Sequence, residues 1–229
     1  MKKLVSLSML LVMSFSLYAQ ERDVTRFLGI PVDGSKKDMI QKLKAKGFES
    51  IPESNLLEGE FNGTEVWIGV ATDNNKVWRV GVIDKNSISE GDIKIRYNAL
   101  CRQFENNSKY GSIYEDQTIP EDEDISYEMS VNKKRYQAIF YQYPVITDTI
   151  EFVNAYVEKH KDTSEDSTTI KFVNSLKGNG KLLYMACVES KRQAIENKQV
   201  WFTIEQLYGE YKIMMFYDNK YNEANGEDL

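Results

Sequence analysis

Residues 66–82 read VWIGVATDNNKVWRVGV, and this stretch decides the class of fold. Two runs within it alternate apolar residues with others, which is the period of a β-strand. The positions that share a face are Val66, Ile68 and Val70 in the first run, and Trp78, Val80 and Val82 in the second. Residues 73–75 between them, Asp-Asn-Asn, are typical of a turn, because short polar side chains tolerate positive φ and hydrogen-bond their own backbone. The stretch therefore predicts a β-hairpin.

The residues upstream of this hairpin predict another strand and a helix. A short strand over residues 59–61, ended by Asn62-Gly63, extends the hairpin to a three-stranded meander. A helix is predicted over residues 35–46, with Ser35 as the N-cap and Gly47 at the stop. Its apolar face carries Met39, Ile40 and Leu43.

The residues downstream repeat this order of helix and strands. Ser89 opens a second helix, which ends at residues 106–108 and whose apolar face holds Ile93, Tyr97, Leu100, Cys101 and Phe104. A second hairpin is predicted around a turn at residues 132–134, with Tyr127, Met129 and Val131 before it and Tyr136, Ala138 and Phe140 after it. A third block has a helical pattern over residues 150–157 and alternating runs at 182–188, 200–204 and 211–215.

Helices followed by hairpin-linked strands predict an α+β fold with antiparallel sheet, built from tandem helix-then-meander units with the helices packed on one face. Parallel doubly wound folds are disfavoured, because their strands alternate singly with crossover helices. Residues 20–229 are expected to form one α+β region, with two subdomains, 20–115 and 116–229, as the alternative.

Residues 1–19 have the pattern of a cleavable signal peptide. Lys2 and Lys3 precede an apolar stretch of about 14 residues, and Ala19 supplies the small residue for cleavage. The stretch is shorter than the roughly 20 apolar residues of a spanning helix. We expect a periplasmic or secreted protein that has no membrane span after cleavage near Ala19. An uncleaved anchor is the alternative.

The charge of the chain argues against nucleic-acid binding. The full sequence carries a formal charge of −6, and removal of Lys2 and Lys3 makes the mature charge −8. An acidic protein repels phosphate backbones, so no nucleic-acid partner is predicted.

Cys101 and Cys187 are the two cysteines of the chain. An oxidising compartment permits a disulfide between them, and the alternative is two separately buried thiols. A zinc site is disfavoured, because structural zinc usually takes four ligands.

The residues that could carry catalysis are few. His160 is the single histidine, which removes most routes to a Ser-His-Asp arrangement, and its place at the end of a helical pattern suits a capping role. The acidic run at residues 121–124 suits either a solvated loop or calcium, but it lacks EF-hand spacing. Phosphate-loop, dinucleotide and nucleophile-elbow motifs are absent. No catalytic residue, metal ligand or cofactor is predicted.

Aromatic residues are the remaining indication of a binding surface. Over residues 135–143 both faces of the predicted strand carry apolar bulk, so one face meets either a partner or a covering helix. The candidate interaction residues are Trp67, Trp78, Tyr141, Tyr143 and Trp201.

Two stretches at the ends of the mature chain carry a resemblance to a known group of proteins. Residues 27–35 (FLGIPVDGS) with the helix through Gly47-Phe48, and residues 217–229 at the C-terminus, resemble uncharacterised secreted proteins of Bacteroidetes bacteria. The resemblance implies an origin in a Gram-negative envelope and no particular activity. The order of elements is also similar, more distantly, to the helix-strand units of beta-lactamase-inhibitor-like and outer-membrane assembly lipoproteins, which are binding domains. This chain lacks their lipid-attachment cysteine.

These observations predict an exported, non-enzymatic binding domain that recognises a protein or envelope component through its sheet face or loops. The alternative is a carbohydrate-binding or carbohydrate-active protein that uses aromatic rings and, for catalysis, two carboxylates about 5 to 10 Å apart.

Overall fold

The computed structural model describes residues 23–143 and 197–224 of the chain, and the described elements form two antiparallel sheets and three α-helices. A small sheet pairs β1 (Arg26–Phe27) with β2 (Ile30–Pro31). The helices are α1 (Lys36–Lys44), α2 (Glu90–Glu105) and α3 (Ile125–Ser130). The large sheet contains β3 (Glu49–Ser50), β4 (Leu56–Phe61), β5 (Thr64–Asp73), β6 (Lys76–Asp84), β7 (Tyr110–Gly111), β8 (Gln137–Gln142), β9 (Gln199–Leu207) and β10 (Glu210–Asp218).

The large sheet has the strand order β3-β4-β5-β6-β10-β9-β8-β7, and every neighbouring pair in it is antiparallel. One half of the sheet is the meander of β3, β4, β5 and β6. The centre is the long-range pairing of β6 with β10, in which Met215 lies opposite Val82. Strands from both ends of the chain therefore share one sheet, and the α+β class with antiparallel sheet is confirmed.

Local signals place the helix starts and the tight turns where the sequence predicts them. The Ser35 hydroxyl accepts a hydrogen bond from the Asp38 backbone N–H at 3.2 Å, and Ser89 caps α2 in the same way through Asp92 at 3.3 Å. Such caps satisfy backbone donors that the first helical turn leaves unpaired. Asn74 and Asn75 both adopt positive φ, at 45° and 61°, in the turn between β5 and β6.

One face of the large sheet is buried under the helices and forms the core. The side chains of this inner face and of the helices above it belong to one hydrophobic cluster. Phe104 of α2 stacks on Phe140 of β8 with ring centroids 4.8 Å apart, and Tyr97 meets the edge of Phe202 at 5.1 Å. Each buried side chain of this size contributes about 1.5 to 3 kcal/mol relative to an exposed one. The opposite face of the sheet is called the outer face below.

A buried ion pair also fixes α2 on the sheet. Both carboxylate oxygens of Asp84, at the end of β6, lie 2.7 Å from guanidinium nitrogens of Arg96. Asp84 also accepts a hydrogen bond from the Ile213 backbone N–H at 3.2 Å. The pair holds helix α2 over the junction of β6 and β10.

The strand predicted at Tyr127, Met129 and Val131 is wrong. Residues Ile125–Ser130 form helix α3, capped by Asp124, whose carboxylate accepts from the Tyr127 backbone N–H at 2.8 Å. Ile125 is fully buried, whereas Tyr127 and Val131 are exposed. The second hairpin therefore does not form, and a tandem repeat of helix-then-meander units is not confirmed.

The predicted face of Trp78 is also wrong, because a β-bulge interrupts the alternation there. Ala71 pairs with Arg79, but Thr72 pairs with Val77, so Trp78 is the extra residue of β6. A bulge of this kind turns two consecutive side chains toward the same side. Val77 and Val80 stay in the core, while Trp78 lies beside Arg79 on the outer face.

Several sequence predictions lie outside the described residues. They are the signal peptide over residues 1–19, His160, Cys187, and the patterns at 150–157 and 182–188. Among the described residues, no helix is long and apolar enough to cross a membrane.

Candidate functional site

Apolar and aromatic side chains line the outer face of the large sheet. In antiparallel strands, residues directly opposite each other share a face, so the register defines two rows. The rows are Trp67–Ile83–Met214, and Phe216–Trp201–Ile139. All six side chains are partly exposed. An exposed sheet face normally carries alternating polar residues, so this apolar surface is unusual.

Arg79 stands at the centre of an aromatic cluster on this face. We call this set the Arg79 cluster; its members are Trp78, Arg79, Trp201, Phe216 and Asp218. The guanidinium carbon lies 4.3 Å from the centroid of the Trp78 ring, 4.8 Å from that of Phe216 and 5.4 Å from that of Trp201. Three rings at this distance attract the cation through their π faces.

Asp218 completes the Arg79 cluster. Its carboxylate accepts two hydrogen bonds from Arg79, at 2.6 and 2.7 Å, and one from the indole N–H of Trp201, at 2.9 Å. The Asp218 side chain is only 3% exposed, while that of Arg79 is 25% exposed. The cluster therefore presents aromatic rings and one edge of a guanidinium at the surface.

Two glycines shape the sheet beneath these rings. Gly69 and Gly81 lie opposite each other on β5 and β6. A Cβ atom at Gly81 would meet the Phe216 ring at 3.4 Å, and one at Gly69 would meet Leu56 at 3.4 Å. The missing side chains let Phe216 and Leu56 approach the backbone of β6 and β5 closely.

Charged residues border the outer face. Lys85 pairs with Glu58 at 3.1 Å beside the Trp67 row, and Lys212 lies 5.4 Å from the Trp67 ring centroid. The hydrogen bond to Glu58, together with the negative charges of Glu58 and Glu65, raises the pKa of Lys85, so its ammonium stays charged. An apolar centre with a polar border is the usual anatomy of an interaction surface.

The structure brings some of the predicted interaction aromatics together. Trp78 and Trp201 both lie beside Arg79. Trp67 lies on the same face, on β5, and β6 and β10 separate it from the strand of Trp201, β9. Tyr141 is also on this face, opposite Gln199. Tyr143 lies just after β8 and contributes instead to a cleft on the inner side of the sheet.

Sequence reasoning missed Arg79, Phe216 and Asp218. Phe216 alternates with Met215 and Tyr217, and this alternation assigns it to the outer face once the core positions of β10 are known. Nothing local pairs Arg79 with Asp218, because the two residues are 139 positions apart in the chain.

A cleft of about 920 Å³ opens on the helix-bearing side. Its walls are the β1–β2 turn with residues 60–62 on one side and the C-terminal half of α2 with residues 107–110 on the other. The Asn62 amide donates to the Gln103 side chain at 2.9 Å and so links the two walls. Its apolar lining includes Leu28, Phe61, Leu100, Phe104 and Met215.

Gln142 and two phenols form the polar part of this cleft. The Gln142 side chain accepts from the Arg26 backbone N–H at 2.7 Å, and its amide nitrogen donates to the Arg26 carbonyl at 2.6 Å and to the Tyr110 hydroxyl at 3.1 Å. Tyr110 and Tyr217 share a hydrogen bond. Burial raises the pKa of both phenols, so both are protonated at neutral pH and act as hydrogen-bonding groups rather than bases.

The charged residues that line the cleft are mainly cations. Arg26, Lys109 and Lys198 contribute to the lining, with Glu60 as the described carboxylate. Lys198 is buried and pairs with Asp23 at 2.8 Å. Lys109 is exposed and forms no ion pair among the described residues.

The acidic run at residues 121–124 is used to hold the fold. The Glu123 carboxylate accepts hydrogen bonds from Lys134 and, at 2.5 Å, from the Tyr136 hydroxyl, while Asp124 caps α3. The Lys94 ammonium binds the backbone carbonyls of Glu121 and Glu123. No cluster of three metal-ligating side chains occurs within residues 23–143 and 197–224.

The Cys101 side chain is fully buried in α2, with Sγ 3.5 Å from the Gln117 carbonyl. Cys187 lies outside the described residues, so the disulfide between them stays a prediction.

Comparison with protein-family models, with curated proteins and with solved structures finds no match to this chain.

Proposed function

We propose that the protein is an exported, non-enzymatic binding domain that recognises a protein or envelope component through the outer face of its large sheet. Export is inferred from the pattern of residues 1–19. The observation that carries the proposal is the two rows of partly exposed apolar and aromatic side chains on a sheet face that has no helix of the described residues packed on it.

The composition of this face supports a protein-binding role. Tryptophan, tyrosine and arginine dominate the energetics of protein interfaces, because they combine a large contact area with directed polar groups. The Arg79 cluster supplies one arginine with two tryptophan rings centred 4.3 and 5.4 Å from its guanidinium carbon. Asp218 and the three rings hold the guanidinium in place, so little side-chain entropy remains to be lost on binding.

The charge distribution supports a partner that is apolar at the contact. The pairs of Lys85 with Glu58 and Glu65 are at the border of the face, and the two apolar rows lie inside it. Charges at a border steer association more than they add affinity. The affinity is therefore expected to come from the tryptophan rows.

Site-specific photo-crosslinking tests this function. A benzophenone amino acid replaces Ile83, at the middle of the Trp67 row, in the exported form of the chain, and the protein is irradiated with an envelope extract of its source organism. We expect one discrete intermolecular adduct that Trp67→Ala weakens strongly. The matched control places the same cross-linker at Tyr127, which is 54% exposed on α3, on the helix-bearing side.

Two results would contradict the proposal. One is the absence of an intermolecular adduct from position 83. The other is a set of adducts from position 83 that equals the set from position 127 and does not depend on Trp67.

Carbohydrate binding is the second candidate, because the Trp78 and Trp201 rings are partly exposed beside a guanidinium. Apolar sugar faces stack on such rings, and hydroxyl groups bond to arginine. The Arg79 cluster contains one carboxylate, Asp218, which is nearly buried and already accepts three hydrogen bonds. The cluster therefore favours binding over a two-carboxylate hydrolytic mechanism.

Calorimetric titration with soluble envelope glycans tests this candidate. Binding that Trp78→Ala reduces at least tenfold, with Tyr127→Ala unchanged, supports it. The absence of heat for every glycan would exclude it.

A further inference from the structure

One phenol proton at the polar centre of the inner cleft has no hydrogen-bond acceptor among the described residues. Tyr110 and Tyr217 share a hydrogen bond, which uses one of their two hydroxyl protons. The Gln142 oxygen accepts from the Arg26 backbone N–H, and the Gln142 side chain meets Tyr110 through its nitrogen, which is a donor. Within residues 23–143 and 197–224, no acceptor is found for the second phenol proton. Whichever way the Tyr110–Tyr217 bond runs, one O–H remains available.

This available donor lies in the cleft. Tyr110 and Tyr217 both line it, and Tyr217 is 4% exposed, so its ring is held firmly in the core. Gln142 fixes the position of the Tyr110 oxygen, because its own amide is held from both sides by the Arg26 peptide. A preorganised donor loses little entropy on binding a ligand acceptor.

The charges around the cleft favour an anion. The described lining residues include three cations. Lys198 is neutralised by Asp23, whereas the Arg26 guanidinium donates a hydrogen bond to the Gly29 carbonyl, at 3.3 Å, and forms no ion pair within residues 23–143 and 197–224. Lys109 is exposed without an ion pair there. Glu60 is the one carboxylate among the described lining residues, so these residues carry a net positive charge in a chain whose formal charge is −6. Such a local reversal of sign attracts and orients an anionic ligand.

The remaining lining is apolar and requires a ligand with an apolar body. Leu100, Phe104 and Met215 project from the core at one side, and Leu28 and Phe61 line the other. The cleft volume is within the range of about 300 to 1,000 Å³ that is typical of small-molecule sites.

We propose that this cleft binds a small amphipathic carboxylate, whose anionic group is held by the Tyr110–Tyr217 phenol pair with Arg26 and Lys109 and whose apolar body packs against Leu100 and Phe104. The site is on the opposite side of the sheet from the outer face, so it goes beyond the function proposed above and does not depend on it.

Calorimetric titration of the full exported chain with three probes tests the chemistry. Decanoate has the anion and the apolar body, decyltrimethylammonium has the body with the opposite charge, and acetate has the anion alone. We expect saturable 1:1 binding of decanoate below its micellar concentration, and at least tenfold weaker binding of the other two. Absence of decanoate binding, or equal binding of the cationic probe, overturns the proposal.

Variants locate the bound probe. Arg26→Gln and Lys109→Gln each remove one charge from the cleft, and we expect each to weaken decanoate binding about tenfold. Tyr110→Phe removes the shared hydroxyl and should weaken binding by a similar factor. Lys37→Gln makes the same charge change on the exposed side of α1 and should leave affinity within twofold.

A further variant separates this site from the outer face. Trp67→Ala alters the outer face and should not affect decanoate binding if the probe occupies the cleft. Circular dichroism checks that each variant folds. If Tyr110→Phe does not fold, Arg26→Gln and Lys109→Gln still test the site, because both replace exposed side chains. Decanoate affinity that falls in Trp67→Ala but not in Arg26→Gln or Lys109→Gln overturns the proposal.

Discussion

Arg79 and Asp218 join β6 to β10 on the outer face through two parallel hydrogen bonds of 2.6 and 2.7 Å. The two residues lie directly opposite each other in the register, so the ion pair lies across the one strand pairing that unites the N-terminal meander with the C-terminal hairpin. Asp218 also receives the indole N–H of Trp201, and its backbone carbonyl accepts from the Thr25 hydroxyl. This residue therefore ties four separate parts of the chain together.

Removal of Arg79 is expected to cost more stability than neutralisation of Asp218. Arg79→Met leaves the nearly buried carboxylate with one neutral donor, and we expect a loss of about 3 kcal/mol in the free energy of unfolding. Asp218→Asn leaves a guanidinium that can turn to water, and we expect a loss of roughly 1 to 2 kcal/mol. Urea unfolding measures both, with the exposed pair variant Lys85→Met as the control. If Lys85→Met lowered the free energy of unfolding as much as Arg79→Met does, the larger contribution expected of the Arg79–Asp218 pair would be refuted.

Gly59 is expected to be intolerant of a methyl group. A Cβ atom there would come within 2.5 Å of the Phe48 ring, which is buried against β4. Gly59→Ala should therefore destabilise the fold by about 1 to 3 kcal/mol through overpacking. Gly91→Ala is the matched control, since open space surrounds Gly91 in the first turn of α2 and alanine is the better helix former. In chemical denaturation, we expect Gly59→Ala to lower the free energy of unfolding and Gly91→Ala to leave it unchanged or raise it.

The Cys101 thiol is expected to be unreactive in the folded protein. Burial raises its pKa to about 12, so the reactive thiolate is scarce at pH 8, and the surrounding core excludes reagent. In Cys187→Ser protein, Ellman's reagent should label Cys101 rapidly in urea and very slowly without it. Rapid labelling of the native protein would contradict the buried position.

The same reagent tests the predicted disulfide. Unreduced wild-type protein in urea should yield no thiol if Cys101 and Cys187 pair, and two if they do not.

Glu123 is expected to make stability depend on pH in the acidic range. Hydrogen bonds from Lys134 and Tyr136 lower the pKa of its carboxyl below the ordinary value. A pKa that is lower in the folded state means that stabilisation is present above the unfolded-state pKa and is lost as pH falls through the folded value. The stability difference between wild type and Glu123→Gln should therefore shrink as pH is lowered from 6 to 3. Urea midpoints measure this, and Asp122→Asn, on the exposed neighbour, should show no such convergence.

The acidic loop shows how a local pattern can mislead. Tyr127, Met129 and Val131 alternate like strand residues, but the run is short, and three alternating positions do not exclude one turn and a half of helix. Asp124 provides the cap, and burial of Ile125 in the core decides the outcome. The Trp78 bulge is similar, because the partner strand, and not the alternation along β6, sets which residue is extra.

The sequence by itself determined the features that depend on a few neighbouring residues. These are the α+β class, the caps at Ser35 and Ser89, and the two hairpin turns near Asn62 and Asn74. Each rests on backbone preferences and hydrogen bonds within about four positions, so no distant contact is needed.

Only the tertiary structure decided what those elements build together. The pairing of β6 with β10, the Arg79 cluster and the Arg26–Gln142 contact of the inner cleft each join residues separated by more than 80 positions in the chain. Such contacts are selected by the combined burial of the whole core rather than by any local signal, because each brings remote segments together at an entropic cost that many contacts must offset. The tryptophans were visible in the sequence as candidates, but the fold alone placed Trp78 and Trp201 around one arginine.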